Sequence, residues 1–208
     1  MARTLRARLG PAPAATRGGW SRALNRRPAT MATRPESVFE SVDEFEQHVC
    51  RRLNRACQRP AVLNLFRVVS RLGDGMFWYL LLLLIPIGYG QAGLVPAAQM
   101  GTMALVGIAL YKLLKQRLVR ERPYITFDGI LAGTPPLDRY SFPSGHTLHA
   151  VSFTSIATVH FPELGWVLVP FAVLVAASRV VLGLHYPSDV LAGAMLGGLL
   201  AGVGLQLF

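Results

Sequence analysis

Charge is what much of this sequence lacks. No Asp, Glu, Lys or Arg occurs from Met76 through Leu110, and Glu163 is the only one from Thr147 through Ser178. Uncharged runs of that length exclude an ordinary soluble domain and point to a membrane protein. Acidic residues are missing altogether before Glu36, while twelve arginines fall in residues 1–60. No recognition module accompanies these basic runs, so nucleic acid is not an expected partner. Beside apolar spans a basic excess instead orients the chain and meets anionic lipid headgroups. Cysteine is scarce too: Cys50 and Cys57 form no disulfide framework and lack the neighbours of a metal site, which leaves them as reduced thiols.

What is present divides the chain into three parts. Residues 1–36, rich in Arg, Ala, Gly and Pro, read as a disordered basic segment. The same composition matches an organelle transit peptide, and Met31 offers a second start; the alternatives stay open. Residues 37–74 read as amphipathic interfacial helices. Phe39, Val42, Phe45, Val49, Leu53 and Cys57 recur at helical spacing after a Ser41–Glu44 capping box. Such a helix is expected on the membrane surface or on the transmembrane body. The following stretch, AVLNLFRVVSRL, carries Arg67 and Arg71 and is too short and charged to span. Residues 75–208 are expected to hold five spans, near 75–92, 97–114, 146–161, 165–183 and 189–207. Trp78 and Tyr79 are expected as interfacial anchors. Glycines 193, 197, 198 and 202 are expected to form a close-packing face in the last span. The expected fold is therefore all-α: a polytopic helical bundle with an N-terminal amphipathic helix.

Five spans place three polar junctions on one side of the membrane: the basic run ending at Pro123, the Pro143–His146 turn, and Arg179 to Asp189. Lys115, Arg122 and Arg179 supply fixed positive charge there. Ser144 and Gly145 open a helix, whose first N–H groups favour an anion, and Gly145 permits close approach to the backbone. This set suits a phosphate. Asp189, four residues after His185, can fix that imidazole as a nucleophile, and His146 can protonate a departing oxygen. The reading is a phosphatase that needs no metal or other cofactor, since the three cations would repel a metal ion. His149, three residues after His146, is left either as a residue lining the pocket or as packing. His48 and His160 are expected to be uninvolved, and the roles of Asp128, Asp138 and Arg139 stay open.

The stretches KQRLVRERP (Lys115–Pro123), PSGH (Pro143–His146) and SRVVLGLHYPSD (Ser178–Asp189) resemble the three signature motifs of the type 2 phosphatidic acid phosphatase superfamily. The resemblance covers roughly residues 60–208. It implies a phosphohistidine mechanism, with Lys115, Arg122, Ser144, Gly145 and Arg179 around phosphate. His185 would be the nucleophile, Asp189 its orienting group and His146 the acid. Soluble haloperoxidases share the motifs, but the apolar spans speak against that branch. The expected function is hydrolysis of a lipid phosphate: a polyprenyl phosphate or diphosphate, phosphatidic acid or phosphatidylglycerol phosphate. A lipid phosphotransferase using the same phosphohistidine and a catalytically silent scaffold are the alternatives. The better-known bacterial members resemble six-span proteins whose site faces away from the cytoplasm. Five spans put the N-terminus beside the site, and the N-terminal arginines favour the cytoplasmic side of a bacterial inner membrane.

Overall fold

The computed structural model describes residues 40–136 and 138–207, with side chains from residue 45. The expected disordered segment, residues 1–36, and the Ser41–Glu44 side chains lie outside these. The described chain is all-α: α1 (Glu40–Asn54), α2 (Pro60–Leu72), α3 (Met76–Tyr89), α4 (Leu94–Arg117), a single turn α5 (Pro123–Thr126), α6 (Gly145–His160), α7 (Gly165–Val181) and α8 (Pro187–Leu207). Proline opens α2, α5 and α8, where its missing N–H costs nothing.

Among the described residues, three runs are long and apolar enough to cross a membrane: Met76–Arg117, Pro162–Val181 and Pro187–Leu207. The first is α3 and α4 together, interrupted by a 3-10 turn over Gly90–Gly93. At Gly93 a β-carbon would meet the Ile85 carbonyl oxygen at 2.6 Å, so the turn brings the two helices close where only glycine fits. Helix α6 lies at the centre of the bundle, packed on α4, α7 and α8.

The distribution of polarity is inside-out relative to a soluble protein. Gln99, Thr147, Ser152, Thr154 and Ser178 are buried, while Leu83, Leu105, Trp166, Leu191 and Leu199 face outward. Outward apolar side chains lose nothing in lipid, and an inward polar side chain finds a partner across the bundle where His160 Nε2 meets Gln99 Oε1 at 2.7 Å.

Helix α1 meets the bundle with Glu46, Cys50 and Asn54, which are buried, while Phe45 of its apolar stripe is 77 % exposed. Asn54 Nδ2 donates to the carbonyls of Leu131 and Val181, both at 2.9 Å, and its Oδ1 accepts the Leu131 N–H. Trp78 is not an interfacial anchor. It is buried among Phe77, Phe153 and Phe171, with its Nε1–H on the Gly73 carbonyl at 3.1 Å; Tyr79 is the exposed one. The four glycines of α8 do not share a face. Gly193 and Gly197 lie against the α6 backbone, but Gly198 and Gly202 have open space around them.

Candidate active site

The three motifs meet at one end of the bundle, around a cavity of about 620 Å³. Its polar end is lined by Lys115, Arg122, Gly145, His146, Arg179 and His185, together with Asp74 and Asp138. Its other end is apolar, lined by Trp78, Leu82, Ala98, Gly101, Leu105 and Ile108 between α3 and α4. The span along α4 from Lys115 to Ala98 is roughly 25 Å at the α-helical rise.

His185 lies in the short link between α7 and α8, held by its N–H on the Arg179 carbonyl at 3.1 Å. Arg122 Nη1 points at His185 Nε2 at 3.2 Å and also donates to the Leu184 carbonyl at 2.8 Å. An arginine only donates, so Nε2 carries the lone pair and the proton sits on Nδ1. That nitrogen is 3.6 Å from Asp189 Oδ2, an ion-pair distance longer than a hydrogen bond. Burial first, and then the fields of Arg122, Arg179 and Lys115, hold the imidazole well below its ordinary 6.5, in the neutral form.

Asp189 is fully buried and held from both sides. Its Oδ2 accepts the Tyr186 N–H at 2.8 Å, and its Oδ1 accepts Arg120 Nη1 at 2.7 Å. Arg120 stacks over the Tyr186 ring and donates on to Ser188 Oγ and to Glu46 Oε2 of α1, each at 2.7 Å. Glu46 in turn accepts the Ser188 N–H at 2.5 Å. A buried chain thus runs from His185 through Asp189 and Arg120 to the N-terminal helix. Sequence reasoning missed both Arg120 and Glu46. Arg120 was hidden inside a basic run, and Glu46 on the polar side of an amphipathic helix.

Two carboxylates line the polar end. Asp138 bridges the cations, with Oδ2 on Lys115 Nζ at 2.7 Å and Oδ1 on Arg122 Nη2 at 2.9 Å. Burial raises its pKa, but the bonds and charges of Lys115 and Arg122 outweigh this and hold it below the ordinary 3.8. Asp74, from the α2–α3 link, has Oδ1 3.3 Å from His146 Nε2. Burial pushes its carboxyl up, against the pull of Arg179. Arg179 is buried and its Nη1 donates to Ser70 Oγ of α2.

Ser144 sits behind the cavity wall. Its N–H donates to the Asp189 carbonyl at 3.1 Å and its hydroxyl pairs with Thr147 Oγ1 at 2.9 Å. It caps none of the first N–H groups of α6, so those of Gly145 and His146 stay available to an anion. His149 lines the cavity one turn further in, edge-on to Tyr111 and Phe153. His160 is at the far end of α6, and His48 is exposed on α1.

Residues 96–208 match the PAP2 superfamily. The chain is 31 % identical over 164 residues to the lipid A 1-phosphatase of Rhizobium etli, covering 69 % of this chain and 70 % of that protein. It is 34 % identical over 147 residues to the decaprenylphosphoryl-5-phosphoribose phosphatase of Mycobacterium tuberculosis, covering 67 % and 76 %. Its fold superposes on a transmembrane PAP2-type phosphatidylglycerolphosphate phosphatase from Bacillus subtilis with a TM-score of 0.63 and 26 % identity, over 81 % of this chain and 86 % of that one. With the motifs complete, the site assembled from them, and a multi-pass helical body around it, the chain belongs to the PAP2 superfamily as one of its membrane lipid phosphatases.

Proposed function

We propose that the protein hydrolyses the phosphomonoester or diphosphate of a lipid through a phosphohistidine on His185, without a metal. The observation that carries this reading is continuity. The cationic end and the apolar groove between α3 and α4 are one cavity, so a phosphoryl group and the hydrocarbon tail attached to it are accommodated together. The relatives' substrates, as their names print them, are likewise phosphorylated lipids, including a polyprenyl compound and a phosphatidylglycerol phosphate.

In this mechanism Lys115, Arg122 and Arg179 neutralise the phosphoryl oxygens, with the N–H groups of Gly145 and His146 beside them. Ser144 serves indirectly, by tying the start of α6 to α8. The Nε2 lone pair of His185 attacks phosphorus, and the bond to the leaving oxygen breaks as His146 gives that oxygen a proton. Asp189 stabilises the cation formed on His185. Water then attacks phosphorus and gives its proton to His146. The P–N bond breaks, releasing inorganic phosphate and neutral His185. Asp138 competes with phosphate for Lys115 and Arg122, and so keeps both side chains aimed at the cradle. His149 lines the cavity just below it, its ring edge-on to Tyr111 and Phe153.

Residues 75–208 form the phosphatase domain, crossing the membrane five times with α3, α4, α6, α7 and α8. Helix α6 is short for a crossing, but neighbours surround it, so lipid thickness does not set its length. Residues 37–74 lie at the interface. There α1 turns polar residues to the bundle and its apolar stripe to the bilayer. The site and the N-terminus face the cytoplasm, in a bacterial inner membrane.

The test is phosphate release by purified protein from prenyl phosphate, prenyl diphosphate, phosphatidic acid and phosphatidylglycerol phosphate. It is run in EDTA and isotope-labelled water, with His185→Ala as the blank. The expected result is turnover in EDTA of at least one substrate, with label in the phosphate and none released by the blank. Transfer of unlabelled phosphoryl to an alcohol, or activity surviving in His185→Ala, would contradict it.

A further inference from the structure

A second cavity, of about 510 Å³, adjoins the first at His146. It is lined by Arg67, Ser70 and Arg71 of α2, by Thr134 and Pro135, and by Asp74, His146 and Arg179, the three residues it shares with the main cavity. Three guanidinium groups therefore face one carboxylate, and that carboxylate is already paired with His146. Arg67 and Arg71 are four residues apart and present one face of α2 to this space. Arg67 is steadied by its Nε on the Gly133 carbonyl at 2.5 Å. Arg179 Nε is buried with no hydrogen-bond partner among the described residues. Such a surplus of cationic donors in a concave site is suited to a phosphate. Both arginines of α2 lie before residue 96, outside the segment that matches the family.

The place of this cavity follows from the geometry of the reaction. With the scissile phosphoryl group in the cradle and His185 behind it, the bond that breaks points toward His146. The group directly attached to the leaving oxygen then lies where the two cavities meet, between His146, Asp74 and Arg179, and the tail beyond it turns past Asp74 into the apolar groove of the first cavity. A methylene there has nothing to gain from Arg67 and Arg71, whereas a phosphoryl group gains two guanidinium partners.

We infer that Arg67 and Arg71 form a subsite for a second phosphoryl group on the leaving-group side, which makes lipid diphosphates the favoured substrate class. The inference rests on the phosphatase reading above and narrows it. In hydrolysis of a lipid diphosphate, the terminal phosphoryl group passes to His185 and the lipid monophosphate departs, its new hydroxyl protonated by His146.

The test compares kcat/KM for a prenyl diphosphate and for the prenyl monophosphate of the same tail, in neutral detergent micelles. Wild type, Arg71→Gln, Arg71→Lys and the double variant Arg67→Gln/Arg71→Gln are measured. Arg71 leads because Arg67 also holds the loop at Gly133. The expected result is a diphosphate-to-monophosphate ratio that falls on the order of tenfold in Arg71→Gln and further in the double variant, with most of it kept in Arg71→Lys. A ratio that does not move, or parallel loss on both substrates, would overturn the subsite and leave the phosphatase intact. Wild-type protein inactive on both prenyl substrates but active on phosphatidic acid or phosphatidylglycerol phosphate would overturn the subsite alone, and inactivity on all four would overturn the phosphatase reading itself.

Discussion

His185 illustrates how much a single residue owes to its surroundings. Its imidazole is buried beside three cations, and both facts favour the neutral ring. A nucleophile must be neutral to attack, so the depressed pKa extends its working range downward. Protonation of His185 then removes activity only below the ordinary imidazole value of 6.5. The acid limb of kcat/KM against pH, which reports the free enzyme, is expected below 6.5. It should move up when Lys115 is replaced by Met, because one of the charges that depresses the pKa is gone. A limb at or above 6.5 in wild type, or no upward shift in Lys115→Met, would contradict this electrostatic account. Arg120 belongs to the same scale. It joins two buried carboxylates, Glu46 and Asp189, and removing one member of such a cluster costs about 3–5 kcal/mol because a buried charge is left unpaired.

Among the elements, α6 and α8 set the site most directly. The start of α6 lies against α8 at Gly193, where a β-carbon would stand 2.5 Å from the Ser144 carbonyl oxygen. That contact is with backbone, so it cannot be relieved by a side-chain rotation, and α6 would have to shift. Gly193→Ala is therefore expected to lower kcat at least tenfold, with loss of stability of about 1–3 kcal/mol. Gly198→Ala, five residues on and facing open space, should stay within about twofold and 0.5 kcal/mol of wild type. Thermal unfolding and turnover of the two variants, measured side by side, check the pair, and equal effects would contradict the packing.

The same elements show what a sequence displays and what it hides. That Lys115, Arg122, His146, Arg179, His185 and Asp189 come together was legible because the uncharged runs between them are long enough to return the chain to one end of the bundle, and the same runs made the helices legible. The inward face of α1 was not legible. Periodicity reveals an amphipathic helix but not which stripe meets protein when the apolar one can meet lipid. Asp74, Asp138, Glu46 and Arg120 act through pairs distant in sequence, such as Glu46 with Arg120, and no local pattern marks them. The small-residue spacing in α8 likewise announced close packing without saying that only Gly193 and Gly197 take part.

On the scale of the whole molecule, the polar motif residues lie at one end and the link over Gly90–Gly93 and the Phe161–Leu164 turn at the other. Tyr89 stacks on Phe161 and bonds Glu163 Oε1 at 2.6 Å, closing that far end. The proposed five crossings put the start of α1 and the site on one side of the membrane and the end of α8 on the other. A reporter active only in the cytoplasm, fused after Phe208, is expected to be silent, and the same reporter fused before Ser37 to be active. Activity at the C-terminal fusion would refute the five-crossing arrangement with the site inside.

The central claim is that phosphorus becomes bonded to His185 on its way from lipid to water. Rapid quenching of the purified protein with a lipid carrying a radiolabelled phosphoryl group tests this directly. Label is expected on the protein within the first turnover, mapped to the peptide holding His185, decaying as labelled phosphate appears, and absent in His185→Ala. Release of labelled phosphate with no label ever on the protein, or label persisting in His185→Ala, would contradict the account.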